Sequence, residues 1–181
     1  MFFGMAEPTT SLRARELLAR HIVPDLPDSA QLAEGARSWG GRGGGASSEL
    51  FSGLLEAAFL VAAADGELAK EEVGELADLI SQMAGEQITP GELSRAVAEF
   101  SAQLEKEGRM GRVQALAASV RGAQARREIL SFAALVALCD HDLAPAELFV
   151  LHSLGKAFGL ETADVNGAVR AVRAALDAPA G

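Results

Sequence analysis

The chain has 181 residues, 49% hydrophobic and 23% charged, a balance that folds around a core and excludes a disordered chain. Its net charge is −9; residues 1–48 hold five bases and five acids, so residues 49–181 carry the whole excess, 20 Asp/Glu against 11 Lys/Arg. Such a surface repels nucleic acid and anionic lipid and attracts cations or basic partners, so no nucleic-acid role is expected.

No apolar run nears the roughly 20 residues that a bilayer crossing needs, so the chain is not expected to be transmembrane. No basic-then-apolar leader precedes the first helix, and the lone Cys139 forms no internal disulfide. A cytoplasmic protein is expected. Alanine and leucine abound while β-branched runs are missing, which favours helices.

In chain order, residues 10–21, with Leu12, Leu17 and Leu18, predict a short amphipathic helix that Pro24 and Pro27 follow. Residues 28–37 predict another, capped by Asp28 or Ser29. Residues 38–48 form a glycine- and serine-rich linker. Residues 1–37 therefore read as a flexible N-terminal arm, either a loose extension or a docking segment anchored by Trp39 and the Met/Phe start.

Helical periodicity is strong after the linker. Phe51, Leu54, Leu55, Ala58, Phe59 and Ala62 recur at helical spacing, and a second helix over 69–84 carries Val73, Leu76, Ile80 and Met83. A third opens on Thr89-Pro90-Gly91-Glu92, a capping box with proline at the first helical position, and carries Leu93, Ala96, Val97, Phe100 and Leu104. Residues 109–127 read as a connecting basic helix with five arginines and no acid, either a solvated face pairing with acids or a basic docking patch. The three-helix pattern then returns over 128–176, at an offset of 75 for its first two helices and 72 for its third. The fold class is therefore an all-α, internally duplicated bundle of about seven helices over 49–181, its repeats spanning about 50–104 and 128–176.

The chemistry sits in two loops. Asp65-Gly66-Glu67-Leu68-Ala69-Lys70-Glu71-Glu72 and Asp140-His141-Asp142-Leu143-Ala144-Pro145-Ala146-Glu147 share one pattern, so that Asp65, Glu67 and Glu72 match Asp140, Asp142 and Glu147. Asp65 and Asp140 follow a helix C-terminus, where the macrodipole disfavours a carboxylate, while Glu72 and Glu147 fall in the first turn of the next helix, where it is favoured. Each loop gathers carboxylates that suit a divalent cation, Ca²⁺ or Mg²⁺, and these six acids are the candidate metal ligands. They need equally be no more than turn residues and first-turn helix acids. The loop is not an EF-hand, because the fifth, sixth and twelfth positions from Asp65 are Ala69, Lys70 and Leu76.

The run Ala63-Ala64-Asp65-Gly66-Glu67-Leu68-Ala69-Lys70-Glu71-Glu72, after an Ala/Leu-rich helix, resembles the tellurite-resistance TerB family over residues 50–176. The second loop departs from that pattern, with His141 for glycine and one glutamate for two. The resemblance implies an all-helical, duplicated, non-catalytic module, metal-associated or protein-binding, in a bacterial stress or membrane-linked complex.

Elsewhere His21, His141 and His152 share no ligand spacing, the glycines at 40–45 lack a phosphate-loop lysine, and no triad or zinc site is present. The expectation is a non-enzymatic scaffold or adaptor that binds divalent cations, protein partners or both, with no other cofactor. Peripheral membrane association would come only through partners. The alternative is an accessory subunit of a larger assembly, docked through the N-terminal arm.

Overall fold

The two most apolar segments of the chain, around 51–61 and 129–138, become its two central helices. The computed structural model describes residues 7–20, 22–40, 45–140 and 142–178, with side chains from Arg13 onward except that of Asp140. In order these form α1 (Glu7–Arg20), α2 (Ser29–Gly40), α3 (Ala46–Ala62), α4 (Lys70–Met83), α5 (Pro90–Ser119), α6 (Ala123–Asp140), α7 (Pro145–Ala157) and α8 (Thr162–Asp177). No strand occurs among the described residues.

Every residue from 129 to 138 is buried in α6, and α3 is buried from 53 to 61, so both helices are enclosed on all sides. They pack on each other and join the two repeats into a single core. The packing partners repeat as well. In the first copy α5 covers α3 and α4, and in the second α8 covers α6 and α7.

Helix starts repeat with the sequence. Thr89 accepts from the Glu92 amide at 3.2 Å, and Glu92 Oε2 accepts from the Thr89 amide at 2.9 Å, the expected capping box. Offset by 72, Asp164 Oδ2 accepts from the Glu161 amide at 3.0 Å. Helix ends repeat too: Gly85 (φ 65) and Gly159 (φ 77) turn the chain after α4 and α7, with Glu86 N–H donating to Ser81 and Leu160 N–H to Gly155. Gly85 and Gly159 differ by 74, so one residue is missing before this turn and two after it.

Boundaries differ from the sequence reading at the linker and at the connecting helix. Of the linker expected over 38–48, residues 38–40 close α2 and residues 46–48 open α3. The helix expected over 109–127 is the second half of α5 and ends at Ser119, because Val120 is extended; Arg126 and Arg127 belong to α6. Gly108 (φ 75, ψ 165) breaks α5, a conformation open to glycine and strained for other residues.

The N-terminal helices also pack on the core. Ala14, Leu17 and Leu18 of α1 and Leu32 and Ala36 of α2 are buried. Asp28 is the residue that caps α2, accepting from the Gln31 amide at 2.8 Å. A Cβ on Gly35 would lie 2.9 Å from the Ser47 carbonyl oxygen, so glycine permits the close crossing of α2 and α3. Trp39, an anchor in the docking alternative, lies against Phe51 of α3 with ring centroids 5.8 Å apart. Met1 to Met5 lie outside the described residues.

Candidate functional site

The first acidic loop begins where α3 runs out of hydrogen-bond partners. Ala63 and Ala64 close the helix with backbone bonds to Phe59 and Val61, and Asp65, Gly66 and Glu67 then stand exposed. The carbonyls of Ala63 and Ala64 accept from Arg109 Nη2 at 3.2 and 2.7 Å. A guanidinium brought back by the break at Gly108 therefore meets the negative pole of α3. A positive charge from within the chain thus stands at this pole. Among the described residues, Arg109 Nε is buried without a hydrogen-bond partner.

One turn along, Arg112 holds two acids. Its Nη2 meets Glu56 of α3 at 2.5 Å and its Nη1 meets Glu107 at 3.0 Å. Glu56 is 7% exposed. Burial pushes its carboxyl above the ordinary range, against the lowering pull of the Arg112 hydrogen bond and charge. The Arg112 guanidinium is held on its protonated side: burial opposes that, and the bonds to Glu56 and Glu107 outweigh it.

The two matching glutamates each hold a helix-start amide. Glu72 accepts from the Ala69 amide at 2.7 Å and Glu147 from the Ala144 amide at 2.9 Å, each reaching back over its helix start. Alanine at both N-caps leaves only this half of a capping box. Glu72 is exposed and Glu147 is 8% exposed. Asp142 is exposed, whereas the Asp140 side chain and all of His141 lie outside the described residues. Among the described residues, no three His, Cys, Asp or Glu side chains stand together as a metal would require.

Beside the first loop lies a cleft of about 580 Å³ that sequence reasoning missed. Buried Phe59 and Ala63 and half-buried Leu104 give it an apolar base, and exposed Ala98, Ser101 and Ala102 of α5 give it a wall of small side chains. Exposed Glu67 and Glu105 stand at its edge together with Gly66 and Arg109. Phe100 of α5 supports Phe59 of α3, with ring centroids 5.8 Å apart. The signal was present in the α5 pattern, where Ala98, Ser101 and Ala102 fall at i, i+3 and i+4 outside the core stripe.

Four of the five arginines are engaged within the chain. Besides Arg109 and Arg112, Arg126 donates to the carbonyls of Ala117, Val120 and Phe158, tying the ends of α5 and α7 together. Arg127 stands 3.9 Å from Asp164. Arg112 and Arg127 thus meet acids, as a face pairing with acids would, whereas Arg109 and Arg126 bind backbone carbonyls and Arg121 is exposed. Cys139 is half-buried against the core, and His152 is half-buried on α7.

Among the described residues no helix is long and apolar enough to cross a membrane. No curated protein and no solved structure matches the chain at a significant level. A family model does match, and it covers most of both repeats and both acidic loops: Tellurite resistance protein TerB, over residues 52–170. With a duplicated all-helical core and its acidic loop after α3, the chain belongs to the TerB family.

Proposed function

We propose that the chain is a non-catalytic TerB-family adaptor in a stress response, engaging basic protein partners, and with them divalent cations, through the acidic surface of its first repeat. One observation carries this reading. Residues 49–108 hold 13 acids against three bases, and exposed Asp65, Glu67 and Glu71 flank α3 where Arg109 is already bound to backbone carbonyls. The net field at this loop is negative, which favours encounter with cations and basic segments. The N-terminal arm is a weaker candidate for docking, because Leu17, Leu18, Leu32 and Trp39 are packed on this chain's own helices.

The cation part of the proposal rests on Asp65 and Glu67 in one loop and Asp140 and Asp142 in the other, oxygen donors of the kind that calcium and magnesium take. Glu72 and Glu147 hold helix amides instead, so a bound ion would keep much of its water. Millimolar calcium or magnesium is expected to raise the melting temperature of the full chain. Asp65→Asn with Glu67→Gln should reduce the rise, and no shift in the wild-type chain would sink the cation half. For the partner half, the full chain as bait in its native organism should recover partners in a salt-sensitive way. Equal recovery by the variant neutralised at Asp65, Glu67 and Glu71 would overturn the acidic-surface reading.

A further inference from the structure

The cleft beside the first acidic loop has a chemistry of its own. Its base is apolar, and its wall is made of alanine and serine on an exposed helix face. The two carboxylates at its edge, Glu67 and Glu105, have no hydrogen bond or ion pair that would neutralise them among the described residues. The one base that lines it, Arg109, has Nη2 bound to the end of α3. A helix with small outward side chains admits another helix at short range, and an apolar trough edged with acids matches an amphipathic helix whose flanks are basic.

The second repeat shows which residues make the difference. At the offset of 72, Ala98 and Ser101 correspond to Arg170 and Arg173, both exposed on α8. Two long cationic side chains there would cover an apolar base and repel a basic segment. The cleft is therefore a property of the first repeat and not of the helical plan that both share.

We infer that this cleft is a docking groove for a basic amphipathic helix of a partner protein, its apolar side chains on Leu104, Ala98 and Ala102 and its lysines or arginines against Glu67 and Glu105. The inference rests on the acidic-adaptor reading and names the partner's chemistry. Charge complementarity selects a basic helix over an acidic or neutral one. The exposure of the wall selects a macromolecule over a small ligand, which would be enclosed on most sides.

The test uses the full chain and a fluorescent 20-residue peptide with leucine on one helical face and lysine on the other, read by anisotropy at low salt. Two further peptides serve as probes, one with serine for every leucine and one with glutamate for every lysine. The leucine/lysine peptide should bind, and each of the other two should bind at least tenfold more weakly. Ala98→Arg with Ser101→Arg should weaken binding at least tenfold while the melting temperature stays near wild type, since both positions are exposed. Gln103→Arg with Gln114→Arg, which adds the same charge at exposed positions outside the cleft, should change affinity less than twofold.

Undiminished binding by the Ala98/Ser101 variant, or equal loss in the Gln103/Gln114 variant, would overturn the groove. Equal binding of the serine/lysine peptide would also overturn it while leaving the acidic-adaptor reading intact. Failure of every lysine peptide to bind would remove both. Self-association in sedimentation that the Ala98/Ser101 variant abolishes would make a second copy of this chain the occupant, contrary to the separate partner inferred.

Discussion

The two repeats share a skeleton and differ in what their third helix does next. Both use a glutamate to close the start of the second helix, both turn after it on a left-handed glycine, and both start the third helix on an acid that reaches back. In the first copy the chain breaks at Gly108 and returns, so Arg109 and Arg112 reach α3. In the second copy α8 ends at Asp177, and the carbonyl of Ala178 beyond it accepts from Arg13 of α1. The buried position on the central helix diverges accordingly: Glu56 in the first copy is Ser131 in the second, 75 residues on. The guanidinium that the return helix brings to Glu56 offsets the cost of burying that acid, and among the described residues the second copy has no matching return helix. The lesson is that the duplicated plan supplies the core, while the unduplicated segment 109–119 sets the electrostatics of the first loop.

The largest expected effect tests that coupling. Arg112→Ala should destabilise the chain by about 3–5 kcal/mol, because it leaves Glu56 buried without its partner. In a Glu56→Ser background, which copies the second repeat, the same change should cost far less, since only the bond to the more exposed Glu107 remains to lose. Urea unfolding of the four chains gives the interaction energy directly. An additive pair of costs would break the link between the return helix and the buried acid.

Next come the helix starts. Glu147→Ala should cost about 2 kcal/mol and Glu72→Ala about 1, because both leave an N-terminal amide without its acceptor but only Glu147 is also buried. Equal costs in urea unfolding would show that the different burial of the two loops carries no energetic weight.

How much of this was legible in the sequence follows from the range of each interaction. Local signals read well: Thr89-Pro90-Gly91-Glu92 is a capping box, and Glu72 and Glu147 are first-turn acids in both copies. The three-residue difference between the two offsets was visible too, though not its split between the end of the second helix and the following turn. The central role of α3 was not. Its stripe looked amphipathic, but Ala57, Leu60 and Val61 are as buried as Phe51 and Leu54, because α6 and its neighbours cover the other side. The guanidinium at the end of α3 was not legible, because Arg109 lies 45 residues beyond Ala64 and no periodicity links them. The arm looked loose for the same reason, its apolar residues being few and their partners distant in the chain. The cleft depends on α3, α5 and a loop meeting, and only its small-residue wall left a local trace.

The smallest effect is the most specific, because two glutamates of the first repeat should respond to pH with opposite sign. Burial raises the Glu56 carboxyl above its ordinary 4.5, so the folded chain binds that proton more tightly than the unfolded chain. The contribution of Glu56 to stability must then fall as pH rises from 4.5 through the folded value. Glu92 is lowered instead, by the backbone and hydroxyl bonds of Thr89, so its contribution is present above 4.5 and disappears as pH falls through its folded value. Melting temperatures from about pH 3 to about pH 7 should therefore diverge between variants. Wild type should lose ground to Glu56→Gln as pH rises and gain ground on Glu92→Gln over the same interval. In the second repeat Ser131 stands at the position of Glu56 and has no carboxyl to titrate. If both variants shifted in the same direction, the Arg112 charge would dominate over burial at Glu56, and the acid would sit in the core as a satisfied ion pair and not as a tolerated cost.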